Sequence, residues 1–365
     1  MNISQNQRKI YYLALVVLLM AVALGCAWTL WLRPTQADAN AMPTPQAAAT
    51  PAPESAAVPA PAAETAAQAV KKASTIVYYQ DNYGYLVPVM CSVPMEDGIA
   101  KATLSMMVQS PDNDMQAARL GLRTVLPENT SIDLDIAGGL ARVDLGKEVL
   151  SMADAAAEAN LVDAVVQTLT EFDTVDRVEF LIGGQKLEKL PHGTDVSGTF
   201  GRGDINVETA EPTMGVSDKS VKLYFPAESG AVIVPVTRMV QASADINTAV
   251  MELTKGPASD DMLEGVVPAG CGLIDVKVED GVAKLNFTGE FVDLVRNSDG
   301  GRMALKALVL TCTQFDGVDR VELYVDGEKY DAAEGELGVP TFMNVADAIV
   351  YDYIQTQSNA IFDFE

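Results

Sequence analysis

Phe172-Asp173-Thr174-Val175-Asp176-Arg177-Val178-Glu179 returns 143 residues later as Phe315-Asp316-Gly317-Val318-Asp319-Arg320-Val321-Glu322, identical at seven of eight positions. A period this long marks a duplicated domain rather than a solenoid. The match extends outward. Thr168 and Thr170 correspond to Thr311 and Thr313, and Gly184 and Lys186 to Gly327 and Lys329. Further upstream, Gly139-Leu140-Ala141-Arg142-Val143-Asp144-Leu145 parallels Gly281-Val282-Ala283-Lys284-Leu285-Asn286-Phe287. Leu126-Pro127 parallels Val267-Pro268, and Leu86-Val87-Pro88-Val89 parallels Ile233-Val234-Pro235-Val236. The offset drifts slightly between blocks, which places short insertions in loops.

Each copy reads as β-β-α-β-β-α-β. Two short strands come first, Thr75–Tyr79 and Leu86–Met90 in copy one. A helix follows and ends before Ser110-Pro111 or Gly256-Pro257, where proline stops it. The next strand alternates. Ile132, Leu134 and Ile136 are expected to face inward, with Asp133 and Asp135 outward; in copy two Ile274, Val276 and Val278 face inward, with Asp275, Lys277 and Glu279 outward. Gly139 or Gly281 supplies the turn to the following strand. Val162, Val165, Val166, Leu169 and Phe172 then recur at helical spacing, as do Leu305, Leu308, Val309, Cys312 and Phe315, giving one apolar stripe for a sheet. The last strand carries Val178, Phe180 and Ile182, or Val321, Leu323 and Val325. The fold class is therefore α+β, two tandem layered domains with helices on one sheet face.

Residues 10–32 form an uncharged, mainly apolar run, preceded by Arg8 and Lys9 and flanked by Tyr11, Tyr12, Trp28 and Trp31. At about 1.5 Å per residue the run spans a hydrocarbon core of roughly 30 Å. The basic flank orients the rest of the chain to the extracytoplasmic side. A cleaved lipoprotein signal is the rival, with Cys26 in Ala23-Leu24-Gly25-Cys26 as its lipidation site. Ala23 stands where leucine is usual and the apolar run continues to Leu32, so an uncleaved helix is favoured. Residues 34–73 form an Ala/Pro-rich stalk, too poor in large apolar groups to fold and able to reach about 100 Å if extended. The organisation is an anchor (1–33), this linker, domain one (74–200), an interdomain linker (201–216), domain two (217–330) and a tail (331–365) in which Val345–Ile354 suits a short amphipathic helix.

The 365 residues carry a net charge of -25, which repels nucleic acid, anionic lipid and wall polyanions. The four cysteines, Cys26, Cys91, Cys271 and Cys312, form no zinc-like spacing. Cys312 occupies the stripe position of Leu169 and reads as a buried small hydrophobe; a Cys271–Cys312 disulfide suits the compartment but has no support in spacing. The one histidine, His192, lies in Leu190-Pro191-His192-Gly193 and reads as a solvated turn residue. No nucleophile elbow, Ser-x-x-Lys or phosphate-binding glycine loop is present. Asp133 with Asp135, and Asp112 with Asp114 in a helix-to-strand loop, read as solvated acids. Asp176-Arg177 and Asp319-Arg320 read as turns with a local ion pair, and Arg202-Gly203-Asp204 as a chance match to an adhesion tripeptide. The expectation is a protein that is not an enzyme, with no catalytic residue, cofactor or metal.

Several of these blocks together resemble the GerM domain, the sporulation and spore germination or "germane" family. They are Val221-Lys222-Leu223-Tyr224-Phe225 running to Val234-Pro235-Val236, Lys255-Gly256-Pro257, Val267-Pro268-Ala269-Gly270 and 279–287. Leu310-Thr311-Cys312-Thr313-Gln314-Phe315 and Val318-Asp319-Arg320-Val321 complete the set. The resemblance covers about 74–200 and 217–330. It implies a fold related to ring-building modules of sporulation channels, tandem domains on a membrane tether, and no catalytic residues. It also implies protein partners in an envelope or sporulation complex, with a homo-oligomer among the expected arrangements. The alternative is a wall-associated module that binds peptidoglycan or a cation.

Overall fold

The computed structural model describes residues 72–95, 98–208, 219–258, 262–296, 300–330, 337–338 and 344–345. The apolar run, Cys26, the stalk up to residue 71 and most of the tail lie outside the described residues. Among the described residues no helix is long and apolar enough to cross a membrane.

Copy one opens with an antiparallel hairpin, β1 (Lys72–Gln80) and β2 (Leu86–Pro94). Helices α1 (Ile99–Ser105) and α2 (Pro111–Ala118) follow. Strands β3 (Ile132–Ala137) and β4 (Gly139–Leu145) lead through a 3-10 turn at Lys147–Ser151 into α3 (Ala155–Leu169), then β5 (Val175–Ile182) and β6 (Thr199–Gly201). A two-residue strand, β7 (Val207–Glu208), precedes copy two. The second copy repeats the order with β8 (Ser220–Pro226), β9 (Ile233–Met239), α4 (Ile246–Thr254), β10 (Leu273–Glu279) and β11 (Val282–Phe287). It continues with α5 (Val292–Arg296), α6 (Gly300–Thr313), β12 (Arg320–Val325), β13 (Glu328–Tyr330) and finally β14 (Leu337–Gly338).

Pro111 does not simply stop a helix. It sits at the first position of α2, where its missing N–H costs nothing, and the Ser110 hydroxyl caps the turn by accepting from Asn113 N at 3.3 Å. In copy two α4 does end before Gly256-Pro257, with Gly256 at φ 80°. The longer helix α3 starts where the Asp154 carboxylate accepts from Ala157 N at 2.8 Å. It ends at Thr170, whose hydroxyl turns back to Val166 O at 2.7 Å.

The strands of each copy divide between two sheets rather than forming one. The hairpin stands apart, while β3-β4-β5-β6 and β10-β11-β12-β13 form separate sheets, with the β4–β5 and β11–β12 pairs parallel. The reason lies in burial. Leu86–Cys91 in β2 and Ile233–Arg238 in β9 are buried without a break. A strand covered on both faces needs two layers against it. The second helix supplies one of them. In α3 Leu161, Val162, Ala164, Val165, Val166 and Leu169 are all buried, far more than a single stripe, and the helix touches both β1 and β5. In α6 Ala304, Leu305, Ala307, Leu308, Val309 and Cys312 do the same between β8 and β12. A buried threonine ties each helix to its hairpin. Thr168 Oγ1 accepts from Tyr78 N at 3.1 Å and Thr311 Oγ1 from Tyr224 N at 3.3 Å. These bonds satisfy strand N–H groups that the hairpin partner leaves unpaired.

Strands β3 and β10 are edge strands and bury less than their alternation suggests. Ile136 is 36% exposed and Val278 45%, while Ile274 is 50% exposed at a shift in register between Leu273 and Asp275. One hydrophobic core runs through both copies, from Val77 and Phe180 to Phe225 and Leu323.

Candidate interaction surface

The free edge of each hairpin is met by a segment that trails the opposite copy. The strand that leaves copy one, β7, pairs in parallel with β9 of copy two, Val207 opposite Thr237. The segment that follows copy two reciprocates, with Val345 bridging Met90 of β2 in parallel. Two asparagines fix this exchange in equivalent ways. Asn206 Oδ1 accepts from Leu86 N at 2.8 Å, and its Nδ2 donates to Leu86 O at 2.8 Å and Pro235 O at 2.7 Å. Asn344 Oδ1 accepts from Ile233 N at 2.7 Å, and its Nδ2 donates to Ile233 O and Pro88 O, both at 2.9 Å. Leu86 and Ile233 are equivalent, as are Pro88 and Pro235, so the junction has an internal pseudo-two-fold. Val345, expected to open a short helix, is a strand bridge instead; the rest of that segment lies outside the described residues.

Copy two adds an ion cluster to its half of the junction. Arg238 Nε donates to Glu208 at 2.6 Å, and its other nitrogens reach Glu252 O and Gly256 O, both at 2.8 Å. Glu208 also accepts from Ala258 N at 2.9 Å. Both charges are nearly buried, with side-chain exposures of 11% and 5%. A second polar cluster lies along β1. Arg202 donates to Glu171 and, at 2.7 Å, to Tyr78 Oη, which itself donates to Glu171 at 2.9 Å. Burial, reinforced by Glu171, pushes the Tyr78 hydroxyl far above its ordinary range. Burial also raises Tyr224 of copy two to about 12 and lowers Lys222, with Arg202 adding to the latter. Arg202 is thus a structural cation. Gly203 O accepts from Gln167 and Asp204 from Ser220, so Arg202-Gly203-Asp204 is held as structure rather than displayed as a ligand.

With the hairpins turned toward each other, the outer faces of the two longer sheets remain solvated. One Glu–Lys pair recurs on both, while Lys284, the counterpart of Arg142, pairs with Glu279 instead. Glu179 takes Arg142 at 3.0 Å and Lys186, and Glu322 takes Lys329 at 2.9 Å and the Tyr324 hydroxyl at 3.1 Å. Lys186 chiefly, with Arg142, holds the Glu179 carboxyl below the usual range, as Lys329 does for Glu322. Asp133 and Asp135 stand on this face too, but each meets a cation, Lys101 at 3.6 Å and Arg142 at 3.7 Å, rather than the other.

The remaining sequence candidates scatter. Asp112 and Asp114 lie in the first turn of α2, not a loop, and Asp114 accepts from the Thr124 hydroxyl. His192 is exposed, with Nε2 2.9 Å from Met152 O, while the wholly buried Glu158 carboxylate accepts from its backbone N–H. Cys91, Cys271 and Cys312 are buried free thiols, so no Cys271–Cys312 bridge forms. Asp176 makes no ion pair with Arg177; its carboxylate lies over Gly139 (φ 79°), and Asp319 lies likewise over Gly281 (φ 80°). A side chain at either glycine would meet that carboxylate, at 2.2 and 2.8 Å respectively, which is why the Gly–Asp pair recurs. Among the described residues no group of acidic, histidine or cysteine side chains has the arrangement of a metal site. The residues missed from sequence are Asn206 and Asn344. Their signal was the Asn-Val dipeptide at 206–207 and 344–345, trailing each copy.

The sequence model of the Germane family, described as sporulation and spore germination, matches residues 76–188 and 222–331. The chain belongs to the Germane family. It is 30% identical over 276 residues to the spore germination protein GerM of Bacillus subtilis (strain 168), covering 72% of this chain and 75% of that one. A solved structure, the tandem GerMN domains of the sporulation protein GerM from Bacillus subtilis, matches with a TM-score of 0.63 at 28% identity. It covers 76% of this chain and 100% of that one. The mixed α+β fold in two tandem Germane domains is therefore shared across the whole of that structure.

Proposed function

We propose that this Germane protein is a non-enzymatic scaffold, held at the membrane with its domains on the extracytoplasmic side. It supports a sporulation or spore-germination envelope complex through protein–protein contacts. One observation carries the reading: the reciprocal junction occupies the hairpin edges within the chain, and leaves two outward sheet faces bearing the equivalent pairs Glu179–Lys186 and Glu322–Lys329. Two equivalent faces suit a repetitive contact with neighbouring subunits or partner domains. The apolar run at 10–32 and the Ala/Pro-rich stalk support a tether, either as an uncleaved helix or through Cys26. The kinship with a spore germination protein supports the setting.

The test is affinity capture of the full chain from sporulating membranes, beside the double variant Glu179→Arg, Glu322→Arg. The scaffold reading expects membrane-protein partners that the charge reversal releases. Capture of no such partner, or equal capture by both forms, would overturn it.

A further inference from the structure

A groove of about 500 Å³ opens on copy one, between the β1–β2 turn, the loop before β3 and the first turns of α3. That size lies in the range of small-molecule sites. Its lining includes Ala156, Ala157 and Val125 and brings together Gln80, Asn82, Gln109 and Arg123, with Tyr83 50% exposed. Among the described residues no hydrogen bond or ion pair engages the side chains of those four polar residues. Asp81, whose carboxyl feels the Arg123 guanidinium, turns away and accepts from Tyr83 N and Tyr85 N. The Tyr83 hydroxyl donates to Glu228 at 2.9 Å, which anchors the ring.

The matching position in copy two shows that the fold does not need these groups. Gln80 corresponds there to Pro226 and Arg123 to Glu264, and the bond from Arg123 N to Gln80 O recurs as Glu264 N to Pro226 O, both at 2.8 Å. Asn82, Tyr83 and Gln109 become Glu228, Ser229 and Lys255. The same junction of strand and loop thus forms without the carboxamides, the aromatic ring or the guanidinium, with a carboxylate, Glu264, where copy one has Arg123.

We propose that this groove binds a short oligosaccharide carrying one carboxylate. Carboxamides offer a donor and an acceptor side by side, the pattern that adjacent sugar hydroxyls and acetamido groups complete. Tyr83 offers an apolar ring face for a sugar's C–H surface. Arg123 is the forked cation for a single carboxylate, on a chain whose net charge of -25 would otherwise repel one. Ala156 and Ala157 in the lining are too small to shape the side-chain pockets by which extended peptides are usually read.

The test is ligand-observed saturation-transfer NMR on the full chain in detergent micelles. The probes are the N-acetylglucosamine–N-acetylmuramic acid disaccharide, neutral chitobiose and an acidic tripeptide. The acidic disaccharide is expected to bind saturably and more tightly than chitobiose. Arg123→Ala should weaken it at least fivefold with little change for chitobiose, and Gln109→Ala should weaken both; each side chain is exposed, so neither variant threatens folding. No saturable saccharide binding, binding unmoved by both substitutions, or equal binding of the tripeptide would overturn the proposal. None of these outcomes bears on partner capture, so the scaffold reading stands or falls separately.

Discussion

The two copies share a fold and part company at their junction. Where copy two holds the incoming strand with the Glu208–Arg238 pair, copy one has Cys91 in place of Arg238, and Ala346 follows Asn344 where Glu208 follows Asn206. The asparagine clamp is common to both halves and the buried charge is not. Duplication preserved what closes the backbone, Asn206 and Asn344, Thr168 and Thr311, and Gly139 and Gly281. It left free what only adds strength or chemistry. Arg238 therefore marks the heavier half of the junction and Asn344 the lighter.

Breaking the heavier half should cost most. Arg238→Ala leaves Glu208 a nearly buried carboxylate without its cation, leaves Glu252 with Lys255, and frees two carbonyls. Loss of one member of a buried pair typically costs about 3–5 kcal/mol. Chemical denaturation should show that loss, whereas Cys91→Ala at the equivalent place should cost only about 1–2 kcal/mol, the scale of trimming a small buried side chain. A similar cost for the two variants would mean that the ion cluster adds nothing beyond packing.

The asparagine clamps come next. Asn206→Ala and Asn344→Ala each remove three hydrogen bonds to buried backbone groups, at about 2–3 kcal/mol in total. The comparison sharpens in the shape of the transition. With Asn344 lost, no ion pair like that of Arg238 remains on the lighter half among the described residues, so unfolding should separate into two steps. With Asn206 lost, the Glu208–Arg238 pair still binds the strand and a single step should persist. Two steps in both variants, or in neither, would refute this ranking of the halves.

These features also show where the sequence was legible. The repeat, the element order and the apolar stripes of α3 and α6 follow from periodicity, because a helix or strand repeats its environment along its own length. The junction has no period. Leu86–Cys91 reads as any apolar strand, and nothing in the run itself says that its free edge meets a segment trailing the other copy. Asn206 and Asn344 bond to carbonyls and N–H groups, which carry no side-chain signature. Ile274 faced outward because a local shift in register undoes strict alternation, and Pro111 opened a helix because its effect depends on which side of it the chain is helical. The groove was hidden for a related reason: Gln80, Gln109 and Arg123 come from three separate segments and converge only in the fold.

The smallest expected effect comes from another divergent pair. Asp163 on α3 and Lys306 on α6 occupy equivalent positions, and burial acts on both, raising the aspartate and lowering the lysine to about 8. The signs are opposite in pH. A lysine that titrates near 8 when folded and near its ordinary value of 10.5 when unfolded binds fewer protons in the native state between those values. Stability therefore rises with pH across that window and is lowest, from this group, below pH 8. Asp163 acts in the acid range, where the folded chain holds its proton longer and its contribution falls as pH rises through the unfolded value. Lys306→Met should therefore abolish the rise above pH 8. Asp163→Asn should leave the alkaline limb untouched and flatten the acid one. Thermal melts from pH 3 to 10.5 read both limbs in one series. An alkaline rise that survives Lys306→Met would show that the second helix of copy two does not hold its lysine against solvation, and the two helices would then differ in sequence but not in electrostatic cost.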